Sequence, residues 1–139
     1  MTPVKLIRRA KEAMQHAYTP YSNFKVGAAL LTAEGKVYLG CNIENAAYSP
    51  SNCAERTAFF KAVYEGERNF TAIAVVGGRN GVIEDIFPPC GVCRQVMQEF
   101  CGPDFMIYMG RSDDSYVAVR LEDFLPYGFS AGKYMKEMQ

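Results

Sequence analysis

The chain has a single histidine, no excess of either charge and no long apolar run. Fifteen Lys plus Arg offset fifteen Asp plus Glu, and the pI is about 6.6. That balance argues against a dedicated nucleic-acid binder, because affinity for phosphates comes largely from surplus Lys and Arg. No stretch approaches the ~20 apolar residues of a spanning helix. The N-terminus carries Lys5, Arg8, Arg9 and Lys11 where a signal peptide would need its apolar segment. The expectation is a soluble cytoplasmic protein with no membrane partner. Internal repeats and linkers are also missing, so 139 residues with 49% apolar and 22% charged composition read as one domain over 1–139. Five cysteines, an odd number without an export signal, make a disulfide framework a poor explanation. Metal or thiol chemistry fits them better.

Hydrophobic periodicity supplies the elements. Leu6, Ile7, Ala10, Ala13, Met14 and Ala17 recur at helical spacing, with Lys5, Arg9, Glu12 and His16 on the other face. Residues 24–31 and 36–41 form a hairpin pattern with Gly35 at its turn. A second helix is predicted from Cys53 to Glu65, with Asn52 as N-cap and Gly66 past its end. Residues 71–76 are continuously apolar, as in a central strand covered on both faces. A third helix runs from Gly91 to Phe100, two strands cover 105–109 and 116–120, and a helical turn covers 121–125. Residues 77–81, Gly-Gly-Arg-Asn-Gly, lack dinucleotide-loop spacing and read as a turn. This order predicts an α/β fold, a three-layer α/β/α sandwich around one mixed sheet of about five strands. Ligands in such folds sit beyond the carboxyl ends of the strands, where helices begin.

Two predicted helix starts carry cysteines. One is Cys53-Ala54-Glu55 and the other Pro89-Cys90-Gly91-Val92-Cys93. Unpaired N–H groups and partial positive charge at a helix start favour thiolates. Three thiolates can hold one metal and leave a fourth tetrahedral position open, as catalytic zinc sites do, whereas structural sites are closed by a fourth Cys or His. His16, on a polar face, and Cys41, at a strand end, offer no such closure; Cys41 and Cys101 read as buried thiols. Each piece has a plainer reading. The Cys90-x-x-Cys93 pair suits a thioredoxin-like redox site, Glu55 suits a capping box with Asn52, and Arg56 a solvated helix surface. Asn42 and Glu44 suit turn caps, and Phe24 a core aromatic.

Zinc deaminases combine His-x-Glu with a later Pro-Cys-x-x-Cys, and a three-cysteine ligand set also occurs among them. Around that pattern stand Phe24-Lys-Val-Gly-Ala-Ala-Leu30, Cys41-Asn-Ile-Glu-Asn-Ala-Ala-Tyr48, Asn52-Cys-Ala-Glu-Arg-Thr-Ala58 and Pro89-Cys-Gly-Val-Cys-Arg-Gln95. With these words the chain resembles the small homotetrameric zinc-dependent cytidine deaminases from its first helix to Phe129. The resemblance implies one zinc per subunit on Cys53, Cys90 and Cys93, and hydrolysis of the 4-amino group of cytidine or deoxycytidine. It implies that zinc renders a water acidic and that Glu55 shuttles its proton to N3 and then to the departing amine. Arg56 would offset the surplus charge of three thiolates on a dication. Asn42 and Glu44 would bind the ribose and Phe24 would stack on the pyrimidine, with Ala54, Tyr48 and Phe129 completing the substrate set. Phe129 and Tyr48 would reach a neighbouring subunit.

Other readings stay open at this point. A deaminase of another amino-heterocycle is one, although Asn42-Ile-Glu-Asn45 favours a nucleoside over a bare base, and no Arg or Lys pair stands beside it for a phosphate. A structural zinc or redox module is the non-enzymatic alternative.

Overall fold

The structure, a computed structural model, describes residues 1–134. Helix α1 (Pro3–Met14) precedes the hairpin of β1 (Phe24–Thr32) and β2 (Val37–Cys41). Then follow α2 (Ala54–Tyr64), β3 (Phe70–Arg79), α3 (Gly91–Phe100), β4 (Met106–Gly110) and β5 (Tyr116–Arg120). Short α4 (Leu121–Phe124) and α5 (Ala131–Tyr134) close the described chain. The strands form one sheet in the order β2-β1-β3-β4-β5, with only β3 and β4 paired in parallel.

Alternation along the strands sorts the core into two layers. Ala29, Ala72, Ala74 and Val76 face α1 and meet Leu6, Ile7, Ala10 and Met14. On the other face Ala28, Leu30, Ile73, Val75 and Ile107 meet Phe59 of α2 and Met97 of α3. The expected three-layer sandwich with a mixed five-stranded sheet is therefore what forms. The apolar run of β3 is buried without interruption from Ala72 to Gly78, as both faces are covered. That strand is longer than its apolar core suggests, because Gly77, Gly78 and Arg79 still pair with Val26, Lys25 and Phe24 of β1. The expected turn over 77–81 shrinks to Asn80 and Gly81, both at positive φ. At the β1/β2 turn Gly35 has φ +91, a conformation that costs glycine little.

β2 and β3 both run antiparallel to β1, hence parallel to each other. Their carboxyl ends lie at one edge with the start of β1, and from that edge the chain enters α2 and α3. Close approach sets α2 in place: a Cβ on Gly40 would stand 2.3 Å from the Ala54 carbonyl oxygen and 2.5 Å from the Ala58 nitrogen. Gly27 meets α1 in the same way, 2.1 Å from the Ala10 oxygen. Backbone cannot yield as a flexible side chain does, so Gly40→Ala and Gly27→Ala should each cost about 3 kcal/mol or more. Only Gly40→Ala is expected also to lower metal content, since it displaces the helix start that carries Cys53. Denaturant melts with metal analysis test this, and an unchanged midpoint for Gly40→Ala would refute the close packing.

Candidate metal centre and active site

Cys53 and Cys90 are themselves the N-cap residues of α2 and α3, with extended backbones (φ −75, ψ 155 and φ −70, ψ 169). Neither thiol makes a side-chain capping bond. This corrects the expectation that Asn52 caps α2: its amide donates instead to Thr57 Oγ1 at 3.1 Å. Freed from capping, the sulfurs converge. Cys53 Sγ lies 3.8 Å from Cys90 Sγ, Cys90 Sγ lies 3.6 Å from Cys93 Sγ, and all three sulfurs fall within 4.8 Å of one another. A tetrahedral zinc with bonds of about 2.3 Å needs sulfurs about 3.8 Å apart, so the donor set fits zinc. Among the described residues this is the one cluster of His, Cys, Asp or Glu that could hold a metal. His16 is exposed, in the turn just beyond the end of α1 and not on the helix itself as expected, and Cys41 and Cys101 are half-buried, less enclosed than expected.

Crowding three sulfurs at two helix starts redistributes their protons. A hydrogen bond from the Cys93 thiol and the adjacent Arg56 guanidinium bring Cys53 down to about 5, although its partial burial opposes this. Cys93 moves upward, because its proton is held by Cys53 and its charged form would be buried. Arg56 Nη2 donates to Cys53 Sγ at 3.3 Å, so this arginine meets the thiolates and is not a merely solvated helix residue. Its Nε is buried without a hydrogen-bond partner among the described residues. Glu55 is only 3% exposed, and it forms no capping box with Asn52, because Cys53 is the N-cap of α2 and the Asn52 N–H is given to the Ile43 carbonyl. Burial pushes its carboxyl up to about 7, and the Cys53 charge adds to the effect.

The polar arm before α2 is tied to the metal centre through the backbone. Ile43 and Asn52 exchange two hydrogen bonds of 2.9 Å, which places Asn42 and Glu44 beside the start of α2. Asn42 Oδ1 accepts from Val26 N at 2.9 Å and its Nδ2 donates to the Phe24 carbonyl at 2.7 Å. Glu44 accepts from the backbone of Tyr21 and Ser22 and from the Ser22 hydroxyl, and these bonds, the hydroxyl's foremost, hold its carboxyl below the usual range. Phe24 is half-buried, with the Arg79 guanidinium 4.6 Å from its ring centroid and Phe87 at 6.2 Å. Tyr48, at φ +62, is 72% exposed, and its ring meets Tyr21 edge-on at 6.2 Å. Phe129 lies on the outer side of α3, where its carbonyl accepts from Gln95 at 3.0 Å. Ala54 is buried between Cys53 and Glu55. Sequence reasoning gave no role to Ser22, Arg79 or Arg94, because single polar residues outside a spaced pattern leave no periodic signal.

Residues 2–109 match the family described as the cytidine and deoxycytidylate deaminase zinc-binding region. The chain belongs to that family. Cys53, Cys90 and Cys93 are accordingly its zinc site, for one ion per subunit. A cytidine deaminase of Sporosarcina psychrophila is 50% identical over 126 residues, 91% of this chain and 90% of that one. A probable cytidine deaminase of Dictyostelium discoideum is 42% identical over 127 residues, covering 91% of this chain and 82% of that one. The crystal structure of cytidine deaminase from Burkholderia pseudomallei superposes with a TM-score of 0.86 at 48% identity, over 93% of this chain and all of that one.

Thiol chemistry checks the electrostatics of this deaminase-family site. In zinc-free protein at pH 6, iodoacetamide should modify Cys53 well before Cys41 and Cys101, whose thiols burial holds above the ordinary range. The Cys53 rate should rise with pH through about 5 and then level. Arg56→Gln removes a group that favours the thiolate, so the midpoint should move upward; an unmoved midpoint would take Arg56 out of the charge balance.

Proposed function

We propose that the chain catalyses hydrolytic deamination of cytidine and deoxycytidine to uridine and deoxyuridine with release of ammonia, a pyrimidine-salvage reaction. The supporting observation is a buried carboxyl, Glu55, two residues from a zinc ligand in a chain half identical to a cytidine deaminase. Bound zinc supplies Lewis-acid activation of water. Glu55 takes a proton from the attacking water and delivers it to N3 of the pyrimidine; it then takes the proton of the new hydroxyl on C4 and passes it to the 4-amino group, which leaves as ammonia as the C4 carbonyl forms. A carboxyl near 7 suits both directions of transfer, and burial excludes competing water. Arg56 balances the third thiolate.

Asn42 and Glu44 bind the ribose. Their existing bonds hold both side chains in place before a ligand arrives, while the Asn42 amide keeps one N–H and Glu44 keeps lone pairs for hydroxyls. Phe24 stacks on the base, and Ala54, Tyr48 and Phe129 complete the pocket. Tyr48 and Phe129 act across subunits of a homotetramer, an assembly that would cover the exposed Phe60 and Tyr64 of α2 as well. Residues 1–139 work as one catalytic domain, in the cytoplasm, with no membrane or nucleic-acid polymer as partner. No described helix is long and apolar enough to cross a membrane.

An ultraviolet assay decides between substrates. Cytidine and deoxycytidine should turn over, with cytosine inert and an orthophenanthroline-treated sample slow. Glu55→Gln should keep its zinc and lose about 10²–10⁴-fold in kcat. Asn42→Ala should raise KM for cytidine. Zinc-loaded wild-type protein that leaves cytidine intact would overturn the proposal, as would full activity of Glu55→Gln.

A further inference from the structure

Arg94 directly follows the last zinc ligand, and its planar guanidinium holds two distant pieces of backbone. Nε donates to the carbonyl of Pro89 at 3.0 Å, and Nη1 donates to the carbonyl of Phe124 at 2.9 Å. Cζ sits 3.6 Å from the centroid of the Phe124 ring. Pro89 is fully buried, and Phe124 packs from α4 onto the core shared by α2 and α3. The Pro89 carbonyl lies in the same rigid peptide plane as the Cys90 nitrogen, so fixing that oxygen fixes the plane from which Cys90 departs. The extended backbone of Cys90 then carries its sulfur toward the other two.

At the other end, the segment after Phe124 lies along the same helix. Gln95 holds the Phe129 carbonyl at 3.0 Å, and Gly128 comes so near Gln98 that a Cβ there would stand 2.8 Å from Oε1. We infer that Arg94 is a positioning residue that couples occupancy of the zinc site to the seating of residues 124–129. Its hydrogen bonds go to backbone carbonyls and not to the sulfurs. It therefore acts through the Pro89–Cys90 peptide. A lysine keeps the charge but cannot bridge both carbonyls while stacking on Phe124, because a single ammonium lacks the fork. Coupling of this kind is reciprocal: what loosens the fork's hold on Phe124 weakens zinc, and zinc steadies that hold. The inference rests on the zinc site and not on the identity of the substrate.

Zinc affinity, measured by competition with a chromophoric chelator, and amide exchange over residues 122–129 test the coupling without any turnover. Phe124→Ala and Arg94→Lys should each weaken zinc binding roughly tenfold, and the double variant should lose no more than the worse single one. Gln95→Ala releases Phe129 but leaves the fork intact, so its zinc affinity should match wild type. In the wild-type chain, zinc should slow exchange over 122–129. Wild-type affinity in both singles, additive losses in the double, or an equal loss in Gln95→Ala would overturn the role of Arg94. Should a variant fail to fold, wild-type exchange decides alone: slowing supports the coupling and equal exchange with and without zinc overturns it. A chain inactive on cytidine would overturn the proposed reaction and leave this result standing.

Discussion

Three sulfur atoms within 4.8 Å of one another are an electrostatic problem before they are a metal site. As thiolates they repel, and as thiols they cannot bind a cation. Two helix N-termini and one arginine resolve it, with the N–H groups of the first turns and the Arg56 guanidinium supplying positive potential at the sulfurs. The geometry requires that both helices start at one edge of the sheet and that neither uses its cysteine as a cap. Both conditions follow from topology. β2 and β3 are parallel across β1, so the helices that leave their carboxyl ends begin side by side.

Close packing converts that topology into distances. Gly40 lets α2 lie on β2 with backbone against side-chain-free backbone, and Ala54 and Ala58 add no bulk at the contact. A helix seated this low brings Cys53 and Glu55 to the sheet edge together. Ala54 between them is fully enclosed, so the turn that presents ligand and carboxyl has little freedom to rotate. The polar arm gains its place by the same economy of backbone, through the two-bond bridge between Ile43 and Asn52.

Much of this was legible in the chain itself, for identifiable reasons. The apolar run at 71–76 and the helical spacing in α1 are signals that burial imposes on sequence, and both elements form, although β3 runs on to Arg79 and α1 stops at Met14, short of His16 and Ala17. Cys53, Cys90 and Cys93 were legible because metal ligation demands particular atoms at particular spacings. Propensity ranks asparagine above cysteine as an N-cap and so points to Asn52, while in the fold the extended cap residue is Cys53, which aims a sulfur. The turn over 77–81 was overdrawn since glycines read as breakers, yet Gly77 and Gly78 pair in β3, where the loop at Val82 and Ile83 presses against Gly78. Ser22 and Arg94 were invisible for another reason. Ser22 meets the Glu44 carboxylate and Arg94 the Phe124 carbonyl, partners brought near by tertiary structure, and nothing local in a sequence records that.

Holding the polar side chains in advance has a thermodynamic consequence for recognition. A carboxylate that already accepts two backbone N–H groups and a hydroxyl, and an amide clamped between Phe24 and Val26, would lose little further freedom in pairing with a ligand hydroxyl. The same two Asn42 bonds hold the backbone on which Phe24 is mounted, so the ring and the polar arm form one rigid unit. A ligand that offers a ring to stack and hydroxyls to pair can use both halves at once. One that offers only the ring leaves the polar half without its hydroxyl partners, and discrimination against it grows from that shortfall.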